Sequence, residues 1–149
     1  MIAKKLTDDM KIAMKSGDKA KLGVIRMLLS ELKNAEIAAA RGLTNEEEEK
    51  VVAGYAKKRL ETMDTYKQAG RADLFEREKN EHEITVSYLP PRIEDDELQK
   101  LIAQKIEETG AQGMKDFGRV MKAVMASVAS RADGSVVSAM VKKVMSDQS

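Results

Sequence analysis

Prolines stand at two positions only in these 149 residues, and the two are adjacent: Pro90 and Pro91. A proline removes a backbone donor and biases the residue before it away from helix, so no helix runs through this pair. The stretches on either side are rich in Ala, Glu, Lys, Leu and Met, with few aromatic or β-branched runs before residue 117. That composition favours helix. The sequence therefore reads as an all-α chain in two parts, a first domain over 1–89 and a small second domain over 90–149. With 42% hydrophobic and 34% charged residues it can build a core, and it lacks the low hydrophobicity and high net charge of a disordered chain.

Apolar spacing and capping residues divide each part further. Ile2, Leu6, Met10 and Ala13 predict a first helix that stops at Ser16-Gly17, and Asp18 is positioned to cap a second. Leu22, Ile25, Leu29 and Leu32 form the stripe of that second helix, which can run to Ala40 as a rod of roughly 33 Å before Gly42. Thr44 with Glu47 is a capping box, opening a third helix through Val52, Tyr55, Met63 and Tyr66 to Gly70. Asp73 is positioned to cap a fourth helix that ends near Tyr88. The short links imply an antiparallel four-helix domain with a long helical hairpin. Beyond the prolines, Leu98, Leu101, Ile102 and Ile106 predict a fifth helix ending at Gly110. Phe117, Val120, Met121, Val124 and Val128 predict a sixth. Asp133-Gly134 reads as a turn, with Ser135 capping a seventh helix that carries Val137, Met140, Val141 and Val144. Three short helices in about 58 residues make a core that is marginal on its own.

Composition excludes several classes of function. A formal net charge of +1 gives no global field for nucleic acid or membrane, so any such binding needs a local patch. The absence of cysteine removes disulfides, thiolate nucleophiles and Cys-ligated zinc. The opening MIAKKLTDDMK is charged with no apolar run behind it, unlike a signal peptide, and no segment approaches the ~18 apolar residues of a membrane span. The expectation is a cytoplasmic protein without membrane attachment.

Three constellations could carry chemistry. Ser30 and Lys33 match S-x-x-K, but the companion motifs of such acyl-transfer enzymes are missing and the pair lies inside a helix, where a solvated face is the default. His82 sits among Glu78, Glu81 and Glu83, yet one histidine at this spacing lacks the repeated Glu-x-x-His of di-iron bundles, so no metal is expected. Arg59 is the sharper signal. It falls in the centre of the stripe formed by Val51, Val52, Tyr55, Met63 and Tyr66, while Glu78 and Glu81 share the apolar side of the fourth helix and Glu36 sits among the leucines of the second. A charge on a buried stripe must be paired, so Glu36, Arg59, Glu78 and Glu81 are expected to form a partly buried ion network, more architectural than catalytic.

QAGRADLFEREKNEHE running into YLPP, then KDFGRVMKAVM, then ADGSVVSAMV, resemble the GatB/YqeY family over nearly the whole chain. The matching positions include Gly70-Arg71 with Leu74, Tyr88-Leu89-Pro90, Gly118 to Met121, and Ala132-Asp133-Gly134. Phe117 stands where the family commonly has Met, and Lys122 where Gly is common. The resemblance implies a small C-terminal helical domain similar to the tail of the B subunit of the tRNA-dependent amidotransferase, a tail that helps hold tRNA. It carries the label of a carbon-nitrogen ligase with glutamine as amide donor, but both catalytic sites of that enzyme lie outside the tail, and fold likeness alone carries no chemistry. No catalytic residue and no cofactor follow from it. What it implies is an accessory protein that binds tRNA or an aminoacylation or amidotransferase protein. The alternatives are a protein-interaction module built on the helical hairpin and an amidotransferase component completed by a partner.

Charge distribution supplies the corresponding site. From residue 109 onward Lys115, Arg119, Lys122, Arg131, Lys142 and Lys143 face only three acids. Phosphate contacts would use these side chains together with helix N-termini near Asp116 and Ser135. The lone aromatic of this part, Phe117, lies on the core side, which leaves no stacking platform for single strands and makes shape recognition of folded RNA the only nucleic-acid mode expected.

Overall fold

The computed structural model describes residues 1–147. Among them are seven α-helices and two short 3-10 helices, and no strand. Packing divides the chain into two compact units, Met1–Pro90 and the residues from Pro91 onward.

In the first unit α1 (Ile2–Ser16) stops at Gly17, whose φ of 73° is left-handed and whose N–H donates to the Ala13 carbonyl. The carboxylate of Asp18 accepts the Lys21 N–H at 3.1 Å and opens α2 (Lys19–Ala39). The chain leaves α2 through Ala40, at a φ of 56°, so the left-handed exit falls on an alanine rather than on Gly42. Thr44 and Glu47 close a reciprocal capping box at the start of α3 (Asn45–Gln68), with Thr44 Oγ1 accepting the Glu47 N–H at 3.2 Å and Glu47 accepting the Thr44 N–H at 2.9 Å. α4 (Ala72–Val86) starts differently from the sequence expectation. Arg71 is its N-cap, and Asp73 lies within the first turn, where its carboxylate accepts from the Arg71 guanidinium at 3.4 Å and so does not act as the cap.

The core of this unit joins Leu6 and Ala13 of α1, Val24, Ile25, Leu28 and Leu32 of α2, Val52 and Tyr55 of α3, and Tyr88. The α2 stripe is therefore rotated from the expected one. Leu28 and Val24 are buried, whereas Leu22 and Leu29 are only half-buried. α2 must face α1 and α3 together, and a stripe read on one helix in isolation misses the average of two neighbours.

In the second unit α5 (Asp95–Thr109) ends at Gly110, φ 68°. A 3-10 turn, Met114–Asp116, leads into α6 (Phe117–Val128), and a second, Ala129–Arg131, precedes α7 (Gly134–Asp147). The α7 cap is Asp133, not Ser135: its carboxylate accepts the Ser135 N–H at 3.3 Å and its carbonyl the Val137 N–H at 3.1 Å. Leu98, Ile102, Val120, Val124, Val128, Val137 and Val141 make a core in which all of these but Leu98 are β-branched. Such side chains lose little rotamer freedom on burial, which suits a unit of this size.

Candidate functional site

The six candidate basic residues of the second unit fall into two groups. Lys115 is exposed on the 3-10 turn. Arg119 lies in the first turn of α6 with Asp116 at 3.2 Å, and Lys122 is exposed one turn further on. The Lys142 ammonium sits 5.7 Å from the Phe117 ring centroid. That contact places the C-terminal half of α7 beside the start of α6. Lys143 is also exposed.

Arg131 belongs elsewhere. Its two terminal nitrogens donate to the two oxygens of Glu97, each at 3.2 Å, its Nε donates to the Pro91 carbonyl at 3.2 Å, and its own carbonyl accepts the Ile93 N–H at 3.0 Å. A guanidinium held bidentately by Glu97 fastens the chain after the prolines to α5, and that donor fork is already taken. Backbone groups at the two helix N-termini are partly engaged. The N–H groups of Asp116 and Phe117 donate to the carbonyls of Gly113 and Met114, and Asp133 takes those of Ser135 and Val137.

Charge in this unit is sorted by helix. Nine basic and nine acidic residues follow Pro91, so the basic excess after residue 109 is offset by the acids of the preceding stretch, Glu94–Glu97 with Glu107 and Glu108. The lysines of α6 and α7 lie on the sides turned away from Val120, Val124, Val137 and Val141.

The first unit holds the arginine cluster. Arg59 Nη1 is 3.3 Å from Glu78 and 3.7 Å from Glu81, with all three side chains mostly buried. The guanidinium lies 4.7 Å from the Tyr55 ring centroid, a cation–π stack that covers the ring. Arg77 reaches Glu81 only at 3.9 Å from an exposed position. Burial, opposed by Arg59 and aided by Glu81, Glu78 and Glu31, pushes the Tyr55 hydroxyl above its ordinary value. Glu36 does not join the cluster. It is half-exposed near the C-terminal end of α2 and meets Lys33 of its own helix at 3.5 Å. The same contact engages the lysine of the S-x-x-K pattern, and Ser30 is exposed. Among the described residues no three His, Asp or Glu side chains gather as a metal site requires.

Two structural residues escaped the sequence reading. Glu48 is 3% exposed, and one of its carboxylate oxygens accepts the N–H groups of Ile2 at 2.8 Å and Ala3 at 3.2 Å. It caps α1 from α3. The available signal was negative: α1 has no capping side chain and no acid in its first turn, so the cap had to come from a distant residue. The second is Tyr88, buried, whose hydroxyl donates to Asp9 at 2.6 Å while Lys5 stands 5.3 Å from its ring. Burial, then the Asp9 hydrogen bond, raises the Tyr88 hydroxyl pKa. The contact ties the residue before Leu89-Pro90 to α1.

A known family matches over residues 3–145, under the description Yqey-like protein. The chain belongs to the YqeY-like family. A curated relative from Pyrenophora tritici-repentis, "Altered inheritance of mitochondria protein 41, mitochondrial", is 27% identical over 148 residues, covering 97% of this chain and 81% of the relative. The described helices include none long and apolar enough to cross a membrane.

Proposed function

We propose that this YqeY-like chain is a non-catalytic accessory protein that holds folded RNA through the lysine side of its second unit, with tRNA as the species the family resemblance implies. One observation carries the reading: Lys115, Lys122, Lys142 and Lys143 are exposed without an acidic partner among the described residues, while six of the unit's nine acids lie on α5 or at its N-cap. Unpaired cations meet phosphates without first breaking ion pairs. With Phe117 on the core side and covered by Lys142, no ring is open to a base, which favours backbone contact over single-strand stacking.

The test is a salt series of tRNA anisotropy titrations on wild type, on Lys115→Ala/Lys122→Ala/Lys143→Ala and on Arg131→Ala. The triple variant is expected to reduce the slope of log affinity against log salt by roughly 2 to 3 units with an unchanged melt. Arg131→Ala is expected to lower the melt of the second unit and leave the slope unaltered. Equal slopes in wild type and the triple variant would remove the lysines from the interface.

A further inference from the structure

An open groove of about 740 Å³ lies between α2 and α3, with Met27, Glu31 and Ala35 on one wall and Val51, Lys58 and Arg59 among the residues of the other. A recess of about 300 Å³ continues it past Met27, Tyr55 and Arg59 to Tyr66 and Leu74. The floor is apolar. Met27 is 50% exposed, an unusual state for a methionine that faces two tyrosines, and Leu43 and Val51 are half-buried along the same floor.

The charges around this floor are of two kinds. Arg59 is engaged by Glu78, Glu81 and the Tyr55 ring, and Glu47 by Arg41 at 2.7 Å. Glu31, Lys50 and Lys58, which also line the groove, have no ion-pair partner among the described residues. The unpaired set is therefore one carboxylate on α2 and two ammonium groups on α3. Lys50 and Lys58 are eight residues apart on one helix, which sets them about 12 Å apart along the groove.

We propose that this groove receives an amphipathic helix of a partner protein that carries two acidic residues two turns apart. Three features select that occupant. The half-exposed methionine floor suits apolar side chains at i, i+3/i+4 and i+7, and methionine adapts to their shape. The ~12 Å between Lys50 and Lys58 equals the rise of two turns and a little more, so a helix lying along the groove meets both with acids seven or eight residues apart. A basic residue between them, on the other side of that helix, meets Glu31. RNA fits less well, because the Tyr55 ring is already covered by Arg59 and is closed to a stacking base. The site is independent of the lysine side of the second unit.

The test uses the full chain with methyl-labelled methionine, the Met27 signal being assigned by Met27→Leu. Two synthetic 16-residue amphipathic helices serve as ligands, one with Glu at two positions seven apart and its twin with Lys there. The Glu peptide is expected to shift the Met27 methyl and to bind wild type at least tenfold more tightly than its twin. Lys50→Glu/Lys58→Glu is expected to reverse that preference. Where the double reversal lowers the melt, Lys50→Ala/Lys58→Ala replaces it and is expected to make the two peptides equal. An unmoved Met27 signal, or equal affinity of wild type for both peptides, overturns the proposal. A Met27 shift produced by tRNA alone, or by raising the protein concentration without peptide, overturns it too, by assigning the groove to RNA or to a second copy.

Discussion

Replacing Glu48 by alanine removes the side chain that, among the described residues, caps the N-terminus of α1. Its carboxylate oxygen accepts two backbone N–H groups at 2.8 and 3.2 Å, and the residue is 3% exposed, so water does not readily replace it. A buried donor left unsatisfied costs about 1–3 kcal/mol, and the lost anion at a helix N-terminus adds up to about 1. Relief from holding a carboxylate in the interior offsets part of this. The expected net loss is roughly 3 kcal/mol, a large share of the 5–15 kcal/mol that holds a typical domain. Urea denaturation followed by far-UV circular dichroism measures it, and hydrogen exchange of the α1 amides locates it. Glu48→Gln, which retains one acceptor, should lose about half as much. A Glu48→Ala midpoint within about 0.5 kcal/mol of wild type would show that α1 does not depend on this cap.

Arg59→Ala should destabilise the first unit by about 2–3 kcal/mol in a thermal melt, because Glu78 and Glu81 then stay mostly buried without their cation. Glu47 supplies a pH prediction: the Arg41 hydrogen bond, followed by the Thr44 N–H, lowers its carboxyl from 4.5 to about 2. A depressed folded pKa contributes stability above the unfolded value that is lost as pH falls from about 4.5 toward 2, so Glu47→Gln should show a flatter stability profile across that window. Limited proteolysis should cut first between Leu89 and Arg92, giving two fragments that each retain helical circular dichroism. Cutting first within α2 or α3 would contradict independent folding of the two units.

What the sequence made legible was local. Gly17 and Gly110 stop their helices because a left-handed exit favours glycine, and the Thr44–Glu47 box needs only residues three apart. Arg59 was legible because a cation inside an apolar stripe requires a partner, and the fourth helix offered carboxylates at the matching level. Competition decided the rest. Asp73 was drawn to Arg71 and Asp133 displaced Ser135 at the α7 cap, choices among neighbouring polar groups that sequence spacing does not rank. Glu48 reaches 45 residues back to Ala3, a pairing set by how α1 lies against α3. Arg131 shows the same limit in the candidate interface, since its count as a free cation ended when the fold placed Glu97 and the Pro91 carbonyl around it.

The most direct test of RNA binding is the affinity of the unmodified full chain for tRNA as salt rises from 50 to 200 mM (about 50 and 200), by fluorescence anisotropy. Contacts made by four or five ammonium and guanidinium groups predict measurable binding at the low end and a log–log slope of roughly −3 to −4. No binding at the lowest salt, or binding with a slope near zero, would contradict a phosphate-contacting lysine face.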